Sequence, residues 1–241
     1  TLGDALENLM LSGSGAIDGT GNSGRNVLNG ASSSGANVLT GLDGNDLYYV
    51  GAGDSIVESA AGGTDQVRSF LIDLHLARYV NVEHASLGGL AALKIQGNDF
   101  ANCLMGNDGT NAISGGAGND VLNGGLGAVT LRGGLGRDNF VFNSAFGAID
   151  SISDFHVKDD TVRLDNAVFA GLSGDEKSFL TTAQFYLGAG AQDTDDRIIY
   201  NAKTGALFYD ADGNTAGGVA AIQFATLTKG LTVTAADFFI V

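Results

Sequence analysis

The chain has 241 residues, 38 of them glycine and none proline, against ordinary usage of about 7% and 5%. Twelve lysines and arginines face 27 aspartates and glutamates, a formal charge of −15 at pH 7. Such a surface repels nucleic acid and anionic lipid, which argues against a DNA or RNA binder. Hydrophobic residues make up 44% of the chain, ample for a core and too many for wholesale disorder.

A single cysteine, Cys103, excludes an intramolecular disulfide framework and any Cys-based zinc cluster. No apolar run approaches the roughly 18 residues of a membrane span, so no transmembrane segment is expected. The start, Thr1-Leu-Gly-Asp-Ala-Leu-Glu-Asn-Leu9, has neither the basic n-region nor the cleavage site of a signal peptide. It has no initiator methionine and lies inside a repeat, so the chain reads as the C-terminal piece of something longer.

From residue 1 to about 147 the chain consists of two copies of one unit. A single constant shift places Glu7 on Glu83, Leu11 on Leu87, Asn26 on Asn102 and Leu28 on Leu104. Further on, Gly41 to Asp46 matches Gly115 to Asp120 at a slightly shorter shift, the difference absorbed in the serine run Ser32-Ser33-Ser34. In the first copy an intact loop, Gly41-Leu-Asp-Gly44-Asn-Asp46, leads into Leu-Tyr-Tyr-Val-Gly-Ala-Gly-Asp54, then Val57-Glu58 and Gly63-Thr64-Asp65. In the second, Asn102, Asn111, Asp120, Val129 and Asp138 stand nine apart without a break, each followed two positions later by an apolar residue: Leu104, Ile113, Leu122, Leu131 and Phe140. Gly115-Gly116-Ala-Gly118-Asn-Asp120 and Gly133-Gly134-Leu-Gly136-Arg-Asp138 both match the nonapeptide G-G-x-G-x-D-x-U-x. An isolated Gly-Gly-x-Gly is weak evidence, but five consecutive units in one register are strong.

These tracts resemble the RTX family, the hemolysin-type calcium-binding repeat proteins secreted by bacteria. The resemblance implies an all-β fold: a right-handed parallel β-roll in which each nonapeptide is half a coil, followed by a β-rich cap with a short helix. It divides the chain into a roll over residues 1–147 and a capping region over 148–241. The physics agrees. Three residues around one inward apolar side chain make a short strand, and glycine-rich turns visit φ > 0, where a Cβ clashes. Proline would remove ladder donors, which accounts for its absence. If two nonapeptides complete a coil, acids 18 apart stack on one edge. Strands about 4.8 Å apart and Ca²⁺–O bonds of about 2.3–2.6 Å then leave room for an ion between successive turns.

The resemblance thus assigns Asp120 and Asp138 as the best metal site, its shell completed by carbonyls of Gly115, Gly116, Gly118, Gly133, Gly134 and Gly136. Asn102 is a weaker ligand because it is uncharged, and Val129, opposite Asn111, cannot ligate at all. In the first copy Gly41, Gly44 and Asp46 form a further site. Asp65, one position beyond the regular spacing, is its edge partner, and Asp54 lies on the opposite edge. Glu58 is expected to be a surface charge.

Beyond Phe140, Asp150-Ser-Ile-Ser-Asp154-Phe155 and Asp160-Thr-Val-Arg-Leu164 resemble the segment that follows RTX rolls. Asp150 and Asp154 either close a last metal site or act as turn and cap residues. A short helical turn is expected within residues 166–172. Arg197-Ile-Ile-Tyr-Asn and Ala206-Leu-Phe-Tyr-Asp210 alternate like paired strands. Asp210-Ala-Asp-Gly213-Asn is partly like an EF-hand loop but has no Glu at the twelfth position, and a tight Asp-Gly hairpin turn is the better reading. The end, Asp237-Phe-Phe-Ile-Val241, is similar to the uncleaved type I export signal of RTX proteins and is also a fit for a final strand.

Nothing in the sequence demands catalysis. His75, His84 and His156 stand in no metal-binding spacing, Cys103 is expected to point outward from the roll, and the abundant carboxylates follow the metal period. The resemblance, with no sign of catalysis, implies a non-enzymatic, secreted, extracellular calcium-binding module. It folds on binding several Ca²⁺ ions outside the cell and carries its export signal for the type I secretion machinery. The alternatives are the C-terminal module of a secreted protease, lipase or polysaccharide epimerase, or an adhesive or pore-forming protein meeting a polysaccharide or host surface.

Overall fold

A computed structural model of the protein describes residues 1–172 and 177–241. Among the described residues the chain winds into eight coils of two short strands each. They are β1 (Asn8–Met10) with β2 (Gly19–Thr20), β3 (Val27–Asn29) with β4 (Val38–Thr40), β5 (Leu47–Tyr49) with β6 (Ser55–Val57), and β7 (Gln66–Ser69) with β8 (Leu74–His75). There follow β9 (His84–Leu87) with β10 (Lys94–Gln96), β11 (Cys103–Met105) with β12 (Ala112–Ala117), β13 (Val121–Asn123) with β14 (Thr130–Leu135), and β15 (Asn139–Phe142) with β16 (Asp150–Ile152). The first four coils are the first copy of the long repeat and the next four the second. The two shifts that relate the copies carry β3 onto β11 and β5 onto β13.

Odd-numbered strands stack in parallel as one face of the solenoid. Even-numbered strands form the other, in two pieces, β2-β4-β6 and β8-β10-β12-β14-β16. The register is the one the nonapeptides require, with Leu104 opposite Leu122 and Leu122 opposite Phe140 on one face, and Ile95, Ile113 and Leu131 aligned on the other. Most three-residue strands bury only their middle side chain, because alternate residues of a strand point to opposite faces. The inward column through Leu28, Tyr48, Val67, Leu104, Leu122 and Phe140 is fully buried, each such side chain stabilising the fold by about 1.5–3 kcal/mol. Between β6 and β8 the even face is interrupted, and Leu76, Tyr79 and Val82 are buried in the segment that follows β8.

The solenoid faces run on past residue 147. β16 pairs with β14, and β17 (Thr161–Leu164) pairs with β15. The short helix expected over residues 166–172 is a single 3-10 turn, Ala170–Leu172. The cap consists of β18 (Ser178–Phe179), β19 (Phe185–Leu187), β20 (Ile198–Asn201), β21 (Ala206–Tyr209), β22 (Ile222–Thr226) and β23 (Phe238–Ile240). As the alternation suggested, β20 and β21 form an antiparallel pair. The tight Asp-Gly turn is corrected: residues 210–221 form a longer loop between β21 and β22. Asn214 there bonds back to the Asp193 and Gln192 carbonyls, which holds the loop open. Phe142, Phe146, Phe169, Tyr209 and Phe224 make edge and stacked ring contacts that close this end of the core. The C-terminal β23 lies between β17 and β18, with Phe238 and Ile240 fully buried. Among the described residues no helix is long and apolar enough to cross a membrane.

Candidate metal centre

Each turn that delivers the chain from the even face to an odd strand ends on a polar residue just before that strand. From β3 onward these residues are Asn26, Asp46, Asp65, Glu83, Asn102, Asp120, Asp138 and Asp160. They form a ladder. The Asn26 N–H donates to Asp46 Oδ1 (2.7 Å), the Asp46 N–H to Asp65 Oδ1 (2.8 Å), and the Asp65 N–H to Glu83 Oε2 (2.9 Å). In the second copy the Asn102 N–H donates to Asp120 Oδ1 (2.8 Å), Asp120 N–H to Asp138 Oδ1 (2.9 Å), and Asp138 N–H to Asp160 Oδ1 (3.0 Å). Both copies therefore run amide, aspartate, aspartate, and each run is followed by a further acid, Glu83 or Asp160.

Each carboxylate spends one oxygen on the coil before it. The second oxygens of Asp46, Asp65, Asp120 and Asp138 are buried and have no hydrogen-bond partner. A buried carboxylate oxygen without a donor is costly unless a cation faces it. Burial pushes Asp120 up to about 7 and Asp65 up to about 6, the ladder hydrogen bonds opposing this and neighbouring acids adding to it. Asp46 and Asp138 are raised for the same leading reason.

The glycines leave the space these oxygens face. A Cβ at Gly115 would collide with Asp120 Oδ2, one at Gly133 with Asp138 Oδ2, and one at Gly41 with Asp46 Oδ2. Gly44, Gly116, Gly118, Gly134 and Gly136 all take positive φ. At Gly134 (φ +104°) a Cβ would also strike the Gly116 carbonyl one coil away, so only glycine lets successive turns stack this closely. Oxygen donors alone, carboxylates and backbone carbonyls, are the set preferred by hard divalent cations such as Ca²⁺. The residues present fit that ion.

Other expected ligands sit differently. Asn102 is already paired: its Oδ1 accepts the Asn98 N–H, and its Nδ2 donates to Glu83 O and Asn98 Oδ1. Asp54 lies on the opposite edge and accepts from the Asn37 backbone and side chain with Oδ1 and from the Gly51 N–H with Oδ2. Asp150, on that same edge, accepts the Val129 N–H (2.9 Å), and burial raises it to about 6. Asp154 accepts the Gly133 and Gly134 N–H groups and pairs with Arg132 at 3.3 Å. Asn111, whose Oδ1 accepts the Asn107 N–H, faces the buried Val129. His84 Nδ1 accepts the Cys103 N–H (3.1 Å), a structural role.

Sequence reasoning missed three acids. Glu83 follows Asp65 at the same spacing as Asp138 follows Asp120, so the period alone was enough to find it. Asp160 follows Asp138 at a wider spacing because the turn before β17 is longer, and its Oδ2 is taken by the His156 N–H. Glu58 is the third and a correction: it is not a surface charge. Its Oε1 accepts the Tyr48 hydroxyl and its Oε2 is buried without a partner. Burial first, then Asp65 and Asp46, raise it to about 7, against the Tyr48 hydrogen bond.

Among known families, the RTX calcium-binding nonapeptide repeat (4 copies) matches residues 20–57, 96–131 and 105–140. These stretches include Asp46, Asn102, Asp120 and Asp138. No match was found among curated proteins. The chain thus carries RTX calcium-binding repeats wound into a parallel β-roll, a structural calcium-binding module.

Proposed function

We propose that this module of RTX calcium-binding repeats is a calcium-triggered folding unit of a secreted, extracellular protein. One observation carries the reading: on a single edge, successive aspartates each keep one buried oxygen without a donor. Asp120 and Asp138, with carbonyls of residues 115–118 and 133–136, are the leading ligands of the second copy, and Asp46 and Asp65 are those of the first. Asp54, Asn102 and Asp154, whose polar atoms already have protein partners, contribute least.

The mechanism is linkage. Without calcium the stacked carboxylates repel one another and flexible glycines favour the unfolded chain. An ion that binds only the folded roll adds RT ln(1 + [Ca²⁺]/Kd), about 1.4–2.7 kcal/mol per site at ten to a hundred times Kd. Several sites together rival a typical domain stability of about 5–15 kcal/mol. A chain kept unfolded where calcium is scarce suits passage through a type I secretion channel, with the segment around Asp237 to Val241 as its export signal. Burial of Phe238 and Ile240 in the folded cap supports an order in which export precedes folding. Within this reading the leading calcium ligands lie within residues 1–147, and 148–241 supply the last roll strands, β16 and β17, and the cap. Catalysis, where the parent protein has it, is assigned outside this chain.

The test is a calcium titration of EDTA-stripped protein, following far-UV circular dichroism while calorimetry counts bound ions. A coil-to-β transition lost in the Asp120→Ala/Asp138→Ala double variant is the expected result. A protein fully folded without calcium and binding none would overturn the proposal.

A further inference from the structure

The third coil departs from the glycine pattern, as the fourth does where Leu76 follows β8. Along this edge the turn opens on glycine after β2, β4 and β10, at Gly21, Gly41 and Gly97. After β6 it opens on Glu58. The same coil is the one in which the inward residue of the odd strand is a tyrosine, Tyr48, where the neighbouring coils have Leu28 and Val67. Tyr48 is fully buried, and its hydroxyl donates to Glu58 Oε1, which folds the carboxylate back beneath the turn. The space over Gly41 is lined by the Tyr48 hydroxyl, Glu58 Oε1 and Asp46 Oδ2.

We propose that Asp46, Glu58 and Asp65 form a three-carboxylate calcium site, distinct in composition from the two-aspartate steps elsewhere on the ladder and the tightest in the protein. The proposal rests on the reading of the roll as calcium-binding. One carboxylate oxygen from each residue lies within 4.8 Å of the others. That spread suits oxygens on opposite sides of an ion with bonds of about 2.3–2.6 Å. Asp46 and Asp65 are 2% and 1% exposed, and Asp46 Oδ2, Asp65 Oδ2 and Glu58 Oε2 all lack a partner. No arginine, lysine or histidine pairs with any of the three among the described residues, where the ion pairs are Arg132–Asp154 and His156–Asp160. Three carboxylates gathered without a protein cation exceed the charge of any two-aspartate step, and ligand charge tunes calcium affinity. Tyr48 is a positioning residue: it holds Glu58 in place without needing to touch the ion.

Tyr48 also supplies the test, because tyrosine sensitises bound Tb³⁺ and the chain has no tryptophan. Tb³⁺ is titrated into EDTA-stripped protein with tyrosine excitation, alongside calcium calorimetry. In the parent chain, emission rises at the first equivalent and calcium displaces it. Tyr48→Phe lowers the emission sharply, with Tyr49 on the same strand left as a weaker sensitiser. Glu58→Gln, nearly isosteric, weakens the tightest calcium step about tenfold or more and leaves the later steps unchanged. Tyr48→Phe leaves all three carboxylates in place, so the site can still be read if Glu58→Gln fails to fold. Calcium binding with unchanged steps in Glu58→Gln, or emission undiminished in Tyr48→Phe, overturns this site while the calcium-binding roll stands. A parent chain that binds no calcium by calorimetry overturns the roll reading itself.

Discussion

The ladder carboxylates and the asparagines that stand in for them differ by one chemical property. Asn26 and Asn102 carry their own donors, and each uses Nδ2 on a neighbouring oxygen. Asp46, Asp65, Asp120 and Asp138 have no donor and leave one oxygen bare. Asp120→Asn therefore removes a charge from the metal shell while keeping an Oδ1 able to accept the Asn102 N–H. The expected outcome by calorimetry is a loss of about 1.4 kcal/mol or more in calcium binding at that step, a factor of ten, with the β signal retained in saturating calcium. An unchanged binding isotherm would remove Asp120 from the site. Gly134→Ala tests the turn. A Cβ at φ +104° facing the Gly116 carbonyl costs about 1–3 kcal/mol in backbone strain alone, read as a lower urea midpoint at fixed calcium.

At the scale of the element, no strand this short is stable alone. Each is held by the coil above and the coil below through its inward side chain. Leu122 sits in the column between Leu104 and Phe140 and is fully buried. Leu122→Ala should cost about 2–5 kcal/mol, and saturating calcium will not restore it, because the lost contribution is packing. Denaturant unfolding of the calcium-loaded variant measures this, and a change below about 0.5 kcal/mol, the range of ordinary surface substitutions, would mean the column is looser than the register implies. The last strand behaves likewise. Removing residues 231–241 takes β23 from between β17 and β18 and strips Phe238 and Ile240 from the core, about 1.5–3 kcal/mol for each side chain. The truncated protein should bind calcium in the second copy yet unfold at markedly lower urea. An unaltered midpoint would show that β23 adds nothing to the fold.

For the whole molecule, charge and metal are coupled through protons. In the metal-free fold Asp120 and Glu58 are raised to about 7 and Asp65 to about 6, above the ordinary carboxylate value of about 4. The folded state then holds more protons than the unfolded one between those limits. The stability this contributes is fully present below about pH 4 and is lost as pH rises through about 6 to 7. The EDTA-stripped protein should accordingly have more β structure near pH 5.5 than at pH 8 by circular dichroism. Calcium, which replaces those protons, should matter most at the alkaline end. More β structure at pH 8 than at pH 5.5 without metal would contradict the burial of protonated carboxylates. The charge of −15 works in the same direction, since titrating acids relieves self-repulsion.

What the sequence alone determined was whatever depends on period. Glycine spacing, the absence of proline and an apolar residue two places after each polar one specify stacked short strands, the coil length and the edge on which Asp120 and Asp138 lie. The long repeat that sets Asn26 on Asn102 and Asp46 on Asp120 becomes two sets of four coils because the repeat is itself a whole number of coils. What depends on where a side chain turns, or on a variable turn length, only the tertiary structure decided. The inward fold of Glu58 needs the Tyr48 hydroxyl beneath it. Asp160 enters the ladder across a longer step, and the loop over residues 210–221 is held open by contacts with Gln192 and Asp193. Which aspartates keep a bare oxygen was also undecidable from spacing. Asp54 and Asp120 follow glycine-rich loops alike, and only the donors that reach Asp54 from Gly51 and Asn37 separate a satisfied turn residue from one facing a cation.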